Sequence, residues 1–476
     1  MTMADFAPQG LRVTVMGMAR SGIAAARLLC AQGARVLLSE HRPTTELAAT
    51  LEELNEELWG ADGLFPLELE TGGHRRESFV EADLVVVSPG VPWSHPLLEE
   101  VRAQGIPVIG EVELAYVLLK KRDRGTPCTL LAITGTNGKS TTTSLIGEML
   151  RCGGRQVMVA GNIGYPLSQA LLDAAPGLPD YLVAEISSFQ LEGVEHFRPQ
   201  ISLVLNLTPD HLDRHGGMVE YGRQKQQVYA RQGPGDCLIL NHDDPLVRGW
   251  GSGGPMRRLF FSRRMEPEEG AFLRGEEMIF RSAGREETVA SLGDLRIPGA
   301  HNQENALAAL AAAFLCGVEA PAIREALQAF RGLEHRMELV REVNGVRFLN
   351  DSKGTNLGAM LKSLEGMEAP VILLAGGRAK DHDFTPLRAL VREKVKTLLL
   401  FGEARGWLRA SLEGCAPILE VANLEEAVRT AWGIACAGEV VLLSPGCASF
   451  DQFANYAERG QRFREIVARL DPVDKI

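Results

Sequence analysis

Short, almost uninterrupted apolar runs recur along the chain, each followed by a Gly-rich or polar turn and then by a stretch with apolar residues at helical spacing. That alternation predicts βα units, and runs apolar on both faces predict parallel strands covered by helices. In a first block, Leu11–Met16 reads as a strand, Gly17–Gly22 as a turn and Ile23–Gln32 as a helix ended by Gly33; Val36–Leu38 and Leu84–Val87 are further strands. A second block begins after the charged linker Lys120–Thr126, with strands at Thr129–Thr134, Val157–Ala160, Tyr181–Ile186, Ile201–Leu207 and Cys237–Asn241. Residues 251–296 change to short alternating pieces such as Met278–Arg281, which predict a small antiparallel sheet, and a helical pair, His301–Cys316 and Ala320–Arg331, follows. From about Leu333 a third block has strands at Val346–Leu349, Val371–Ala375, Thr397–Phe401 and Val440–Ser444. The fold expected is therefore α/β in three domains. A Rossmann-like domain spans 1–124, a central P-loop ATPase-like domain with a mostly parallel sheet plus a small antiparallel one spans 125–332, and a second Rossmann-like domain spans 333–476.

The length, 476 residues, fits three domains of about 150 residues each. With 50 basic against 61 acidic residues the net charge is −11, which argues against nucleic acid or an anionic membrane as a partner. The longest apolar stretch, Ala306–Val318, is too short to span a bilayer and reads as a buried helix. Residues Met1–Gly10 lack the basic and apolar regions of a secretory signal, and the eight Cys form no C-x-x-C pair, so reduced thiols in a cytoplasm are expected, without disulfides or zinc.

Gly135-Thr136-Asn137-Gly138-Lys139-Ser140-Thr141 stands between a strand and a helix whose Leu145, Ile146, Met149 and Leu150 share one face. Glycines there turn backbone N–H groups toward phosphate oxygens, the helix N-terminus adds positive potential, Lys139 meets the terminal phosphates and Ser140 offers a hydroxyl to Mg²⁺. Ile133 replaces the first Gly of the strict P-loop pattern, so this is a shortened form, and a nucleoside triphosphate is the expected ligand. Gly17–Gly22 only approximates a dinucleotide loop, because Ala19 replaces the middle Gly; it is either a tight Rossmann turn or a second phosphate contact. Polar residues directly after apolar strands mark the ligand side of an open sheet. Glu185, at the end of an apolar run, would be costly to bury without a cation, and Mg²⁺ shared with Ser140 and phosphate removes that cost. His211, in Thr208-Pro209-Asp210-His211, reads as functional by position, whereas Lys225 by itself reads as an ordinary solvated helix lysine. In the third block, Asn350–Asn356, Gly376–Asp381 and Pro445–Phe453 bring Lys353, Lys380 and clustered donors to strand ends, where an anion can be gripped. Cys447 reads as a small buried residue rather than a nucleophile.

These segments together resemble the Mur ligases, and within them the D-glutamate-adding branch. The likeness runs through G-T-N-G-K-S-T at Gly135–Thr141, G-N-I-G at Gly161–Gly164, E-I-S-S-F-Q-L at Glu185–Leu191, N-L-T-P-D-H-L-D at Asn206–Asp213 and H-N-x-x-N-A at His301–Ala306. It continues through His335-Arg336, N-D-S-K-G-T-N at Asn350–Asn356 and S-P-G-C-A-S-F-D-Q-F at Ser444–Phe453. The resemblance implies a three-domain ATP-dependent ligase that adds D-glutamate to UDP-N-acetylmuramoyl-L-alanine through an acyl phosphate, in cytoplasmic peptidoglycan synthesis, with ATP and Mg²⁺, as a monomer. It further implies that Gly135, Thr136, Asn137, Gly138, Lys139, Ser140, Thr141, Asn305, Arg336 and Asp351 hold ATP. Ser140 and Glu185 would hold a first Mg²⁺, and His211 and Lys225, the lysine as a carbamate, a second; Lys139, Glu185, His211 and Lys225 form the catalytic set. Ser21, Arg42, Ser88, Asn162, Ser187 and Gln190 are the implied contacts to the UDP-substrate, and Lys353, Thr355, Lys380, Ser449 and Phe450 those to D-glutamate. The uracil segment maps loosely onto Glu40, His41 and Arg42, and Arg378 stands where relatives can carry an acidic residue. Two other readings compete. A folylpolyglutamate synthase-like ligase shares the ATP loop but resembles only the second and third blocks, and a P-loop switch protein would bind ATP without amino-acid-dependent phosphate release.

Overall fold

In the computed structural model, residues 6–47, 67–122, 127–174, 177–379 and 383–471 are described. They build three sheets. The first is all parallel, β1 (Arg12–Met16), β2 (Arg35–Glu40), β3 (Leu67–Thr71), β4 (Leu84–Val87) and β5 (Val108–Gly110), in the order β3-β2-β1-β4-β5. The chain reverses direction of travel across the sheet at β1, which puts the Gly17 turn and Ser88 at the switch point where open sheets take ligands.

The second sheet has nine strands: β6 (Thr129–Thr134), β7 (Val157–Gly161), β8 (Tyr181–Glu185), β9 (Ile201–Val204), β10 (Cys237–Asn241), β11 (Arg257–Ser262), β12 (Gly270–Arg274), β13 (Glu277–Ser282) and β14 (Arg285–Ser291). Its order is β14-β13-β12-β11-β10-β9-β6-β8-β7. Strands β6 to β12 pair in parallel, and the antiparallel strands expected from 251–296 extend that sheet at its edge. The apolar stretch 306–318 is a buried helix, Ala300–Leu315; Ala306 through Ala313 are fully shielded, their small side chains letting it pack closely on helix Lys139–Cys152. The third sheet, β15 (Glu338–Val343), β16 (Val346–Asn350), β17 (Val371–Gly376), β18 (Val395–Phe401), β19 (Ile418–Glu420) and β20 (Val440–Leu443), runs β15-β16-β20-β17-β18-β19, with only β15 antiparallel.

The expected boundary at 124/125 lies outside the described residues, but the helix before it, Glu111–Arg122, joins the first two units. Its Glu113, wholly buried, accepts the backbone N–H groups of Glu195 (2.9 Å), His196 (2.8 Å) and Phe197 (3.1 Å), and Glu111 accepts that of Ser168 at 2.6 Å. One apolar core, from Phe6 and Val15 through Leu118 to Leu182 and Leu240, runs without a break across this junction. All eight Cys are free, and no helix among the described residues is long and apolar enough to cross a membrane.

Replacing Glu113 leaves three backbone donors without their acceptor at once, that of Phe197 buried. Glu113→Ala is expected to destabilise the protein by about 3 kcal/mol or more, with Glu113→Gln losing less because one acceptor oxygen survives. Urea denaturation checks this, and an unchanged midpoint in Glu113→Ala would remove the anchoring role.

Candidate functional site

The loop after β6 is shaped by two glycines with positive φ, Gly135 (149°) and Gly138 (84°). At Gly138 a Cβ would stand 2.2 Å from Asn305 Oδ1, so only glycine lets the loop pass beneath that amide. Asn305 sits in helix Ala300–Leu315, receives Thr142 Oγ1 at 3.3 Å and donates to Asn302 Oδ1 at 3.2 Å, which fixes it over the start of helix Lys139–Cys152. From the other side Asn206 cradles the loop: Oδ1 accepts the N–H groups of Thr136 (3.1 Å) and Asn137 (2.8 Å), and Nδ2 donates to Asn137 O at 3.1 Å. This is why the strand expected to reach Leu207 ends at Val204; Asn206 leaves the ladder to hold the loop.

Four cationic side chains meet here. Lys139 Nζ bends back onto Gly135 O (2.9 Å) and Thr136 O (2.8 Å). Lys225, in helix Met218–Gln226, is buried rather than solvated, donates to Gly135 O at 2.8 Å and lies 4.5 Å from the Tyr221 ring centre. Two more come from the C-terminal unit: Arg336 Nη2 and Lys353 Nζ reach Ser140 Oγ at 3.1 and 3.2 Å. The counter-charge is Glu185, aligned with Ile133 of β6 and 1% exposed. Its Oε1 accepts from Asn162 Nδ2 at 2.8 Å, while Oε2 is buried with no hydrogen-bond partner. Burial raises the Glu185 pKa, but Lys139 and Lys353 outweigh it, and the carboxyl lies below its usual range. Burial and then Lys139 push the Lys225 amine well down toward its neutral form. Burial and Arg336 bring Lys353 to about 7. Asp351, buried at the end of β16 and held by Ser363 Oγ (2.6 Å) and Ser444 Oγ (3.0 Å), is raised to about 6 by that burial.

Of these groups Lys139, Arg336, Lys353, Glu185 and Asp351 border one cleft of about 540 Å³ between the central and C-terminal units, whose wall also includes Thr136, Asn137, Gly138, Thr141, Asn162, His211, Asn305 and Thr355. His211 has a left-handed backbone (φ 55°), sits edge-on to Phe189 and lies 3.5 Å from Asp210 Oδ2. Among the described residues no three His, Cys, Asp or Glu side chains converge as a self-sufficient metal site.

The remaining expected residues fall elsewhere. Ser88 Oγ approaches Gly17 O at 3.3 Å, and Ser21 opens the helix Arg20–Ala31 beside it. Arg42 pairs with Glu40 at 3.2 Å; Glu40, whose burial is outweighed by Arg42 and the Met18 N–H (2.8 Å), lies at about 2 and ties the segment after β2 to the Gly17 turn. Ser187 and Gln190 cap each other across one helical turn, Gln190 N donating to Ser187 Oγ at 3.3 Å and Ser187 N to Gln190 Oε1 at 2.9 Å. Gln190 also lines a small cavity with Ser88 between the first two units. Ser449 is buried and Phe450 is 62% exposed, both away from the cleft wall; Lys380 lies outside the described residues. Arg378 pairs with Glu403 at 3.0 Å. Cys447 is buried, and its carbonyl accepts from the fully buried Arg459, both Nη at 3.2 Å. Sequence reasoning missed Tyr456, which lines the cleft 5.2 Å from Lys353 Nζ, and gave no role to Asn206 or Tyr221, although Asn206 lies inside a quoted motif.

Family models match the chain in three consecutive pieces: the Mur ligase MurD-like N-terminal domain at residues 11–110, the Mur ligase middle domain at 133–313 and the Mur ligase glutamate ligase domain at 335–447. The UDP-N-acetylmuramoylalanine--D-glutamate ligase of Pelotomaculum thermopropionicum is 45% identical over 464 residues, 96% of this chain and 98% of that protein. The protein of the same name from Acidobacterium capsulatum is 43% identical, covering 96% of each. Among solved structures, the MurF ligase from Thermotoga maritima in complex with ADP shares the fold with a TM-score of 0.59 at 17% identity, over 82% of this chain and 90% of that one. With such identity along nearly its whole length, and with the three family domains in order, this chain belongs to the Mur ligase family.

Proposed function

We propose that the chain is an ATP-dependent ligase that adds D-glutamate to UDP-N-acetylmuramoyl-L-alanine, acting in the cytoplasm as a monomer on small molecules in peptidoglycan precursor synthesis. The observation that carries this reading is the convergence of Lys139, Lys225, Arg336 and Lys353, from two domains, on the Gly135–Ser140 loop beside the buried carboxylate of Glu185. Basic groups gathered this closely suit a polyanion that they can share, and the names of the nearly full-length relatives indicate which reaction uses it.

In this reading the triphosphate takes the place of the carbonyls that Lys139 now holds, and Arg336 and Lys353 close on it from the C-terminal domain. Attack by a carboxylate on a phosphate sets anion against anion, and these cations cancel that repulsion before the acyl phosphate forms. D-glutamate, its carboxylates held by Lys353, Thr355 and Lys380 with Ser449 and Phe450 as further contacts, then attacks the acyl carbon with its neutral amine, which forms the amide bond, expels phosphate and gives up a proton. Ser21, Arg42 and Ser88 would hold the UDP end, and Asn162, Ser187 and Gln190 the muramoyl end. Asn305 packs over the loop where the adenosine would lie, with Asp351 opposite. The donor set also fits Mg²⁺: Glu185 Oε2 is a buried acceptor without a partner, and Ser140 supplies a hydroxyl, the remaining ligands being phosphate oxygens. Lys225 fits the carbamate expectation, because carbamylation requires a neutral amine and burial favours that form; with His211 it would hold a second ion. When bound, these ions neutralise charge on the phosphate oxygens.

Phosphate release with Mg-ATP and UDP-N-acetylmuramoyl-L-alanine is expected to depend on D-glutamate and to stay at background with L-glutamate, L-lysine or D-alanyl-D-alanine. Turnover with L-glutamate on a folate, or none with any amino acid, would overturn the assignment. A second expectation concerns Lys353, whose pKa of about 7 leaves it largely neutral at pH 8 in the ligand-free protein. A triphosphate beside it raises that pKa, so nucleotide binding at pH 8 should take up close to one proton that Lys353→Met does not take up. Calorimetry in buffers of different ionisation enthalpy reads this; uptake that persists unchanged in Lys353→Met would assign the proton elsewhere.

A further inference from the structure

Two of the bridges between the C-terminal and central domains, from Arg336 and Lys353 to Ser140, end on a hydroxyl that nucleotide would contest. A third does not. Asn356 Nδ2 donates to Asp210 Oδ2 across 2.8 Å, while the same side chain's Oδ1 accepts from Ala359 N at 2.8 Å and caps the helix Leu357–Glu365. One nearly buried amide therefore both starts a helix of the C-terminal domain and grips the central domain. Asp210 immediately precedes His211, and His211 Nε2 lies 3.5 Å from the same carboxylate oxygen. The surrounding fit is close: a Cβ on Gly358 would come within 3.4 Å of both Asn137 Nδ2 and Thr208 Oγ1, so the first turn of this helix lies directly against the phosphate loop and the His211 loop. Immediately upstream, Lys353 and Thr355 occupy the loop that ends at Asn356, and that loop is pinned at its other end by Asp351 N on Leu443 O (2.8 Å).

Resting on the ligase reading above, we propose that Asn356 is a positioning residue, a latch whose bond to Asp210 holds the amino-acid-binding loop in register with the phosphate loop. It does not touch the reacting atoms. Its effect passes through Lys353 and Thr355, which can present the amine to an acyl carbon only while the two loops are held at a fixed separation; misplacement by about an ångström is enough to slow such a step a hundredfold. A helix cap alone would stabilise the domain without selecting between substrates, and this separates the two roles.

Asn356→Ser and Asn356→Asp keep the cap, since Ser, Asp and Asn serve almost equally at this position. Serine is too short to reach Asp210, and aspartate places a second carboxylate against it. Asn356→Ser is expected to melt like the wild type, and both variants to keep the KM for ATP within about twofold. For D-glutamate, kcat/KM is expected to fall roughly tenfold in Asn356→Ser and further in Asn356→Asp, where like charges push the loops apart. Wild-type turnover matched by both variants would overturn the latch alone, as would an Asn356→Asp protein at least as active as Asn356→Ser. An equal loss for ATP and D-glutamate, or a lowered melting point in Asn356→Ser, would likewise overturn it in favour of a structural role. Wild-type protein that releases no phosphate with D-glutamate would sink the ligase reading and this inference with it.

Discussion

Four basic side chains and the buried Glu185 carboxylate share the space between a phosphate loop and a neighbouring sheet, and much of the chain's architecture can be traced to keeping them there. Without a ligand, Lys139 and Lys225 rest on loop carbonyls and Arg336 and Lys353 on the Ser140 hydroxyl, with Glu185 as their shared counter-charge. Burial then moves Lys225 and Lys353 toward their neutral forms. The site is therefore poised: a polyanion that enters gives the clustered donors an anionic partner and restores the charge of Lys353.

Topology supplies the convergence. Strand β6 lies between β8 and β9, so the phosphate loop, Glu185 and Asn206 emerge side by side from neighbouring strand ends. In the third sheet β20 lies between β16 and β17, which places Asp351, Ser444 and Gly376 at a second switch point facing the first. The N-terminal domain is held by Glu111 and Glu113, whose carboxylates tie down backbone donors of the central domain, and its own switch point carries Gly17 and Ser88. Three independent sheets thus offer their ligand-binding ends to substrates that must meet.

Much of this was legible in the residues. Thr129–Thr134, Cys237–Asn241 and Leu84–Val87 are strands end to end as their apolar runs indicate, because central parallel strands must be apolar on both faces. Strands Leu67–Thr71, Glu338–Val343 and Ile418–Glu420 gave no such signal; all three sit at sheet edges, where one side meets water and charged residues are tolerated. In the candidate site, the phosphate loop and Glu185 announce themselves through local pattern and the energetics of burial. Lys225 does not: its sequence neighbours are polar, and only the packing of Tyr221 and the loop carbonyl of Gly135 removes it from solvent. Tyr456 and the Asn356 to Asp210 contact join residues far apart in the chain, which no local pattern encodes.

In the proposed reaction, carboxylate attack on the terminal phosphate is the step that the cluster would serve, and oxygen labelling reads it most directly. With heavy oxygen in the L-alanyl carboxylate of UDP-N-acetylmuramoyl-L-alanine, one labelled oxygen should appear in the inorganic phosphate released at each turnover, because the carboxylate oxygen that attacks phosphorus leaves with it. Unlabelled phosphate accompanying amide formation would contradict the account.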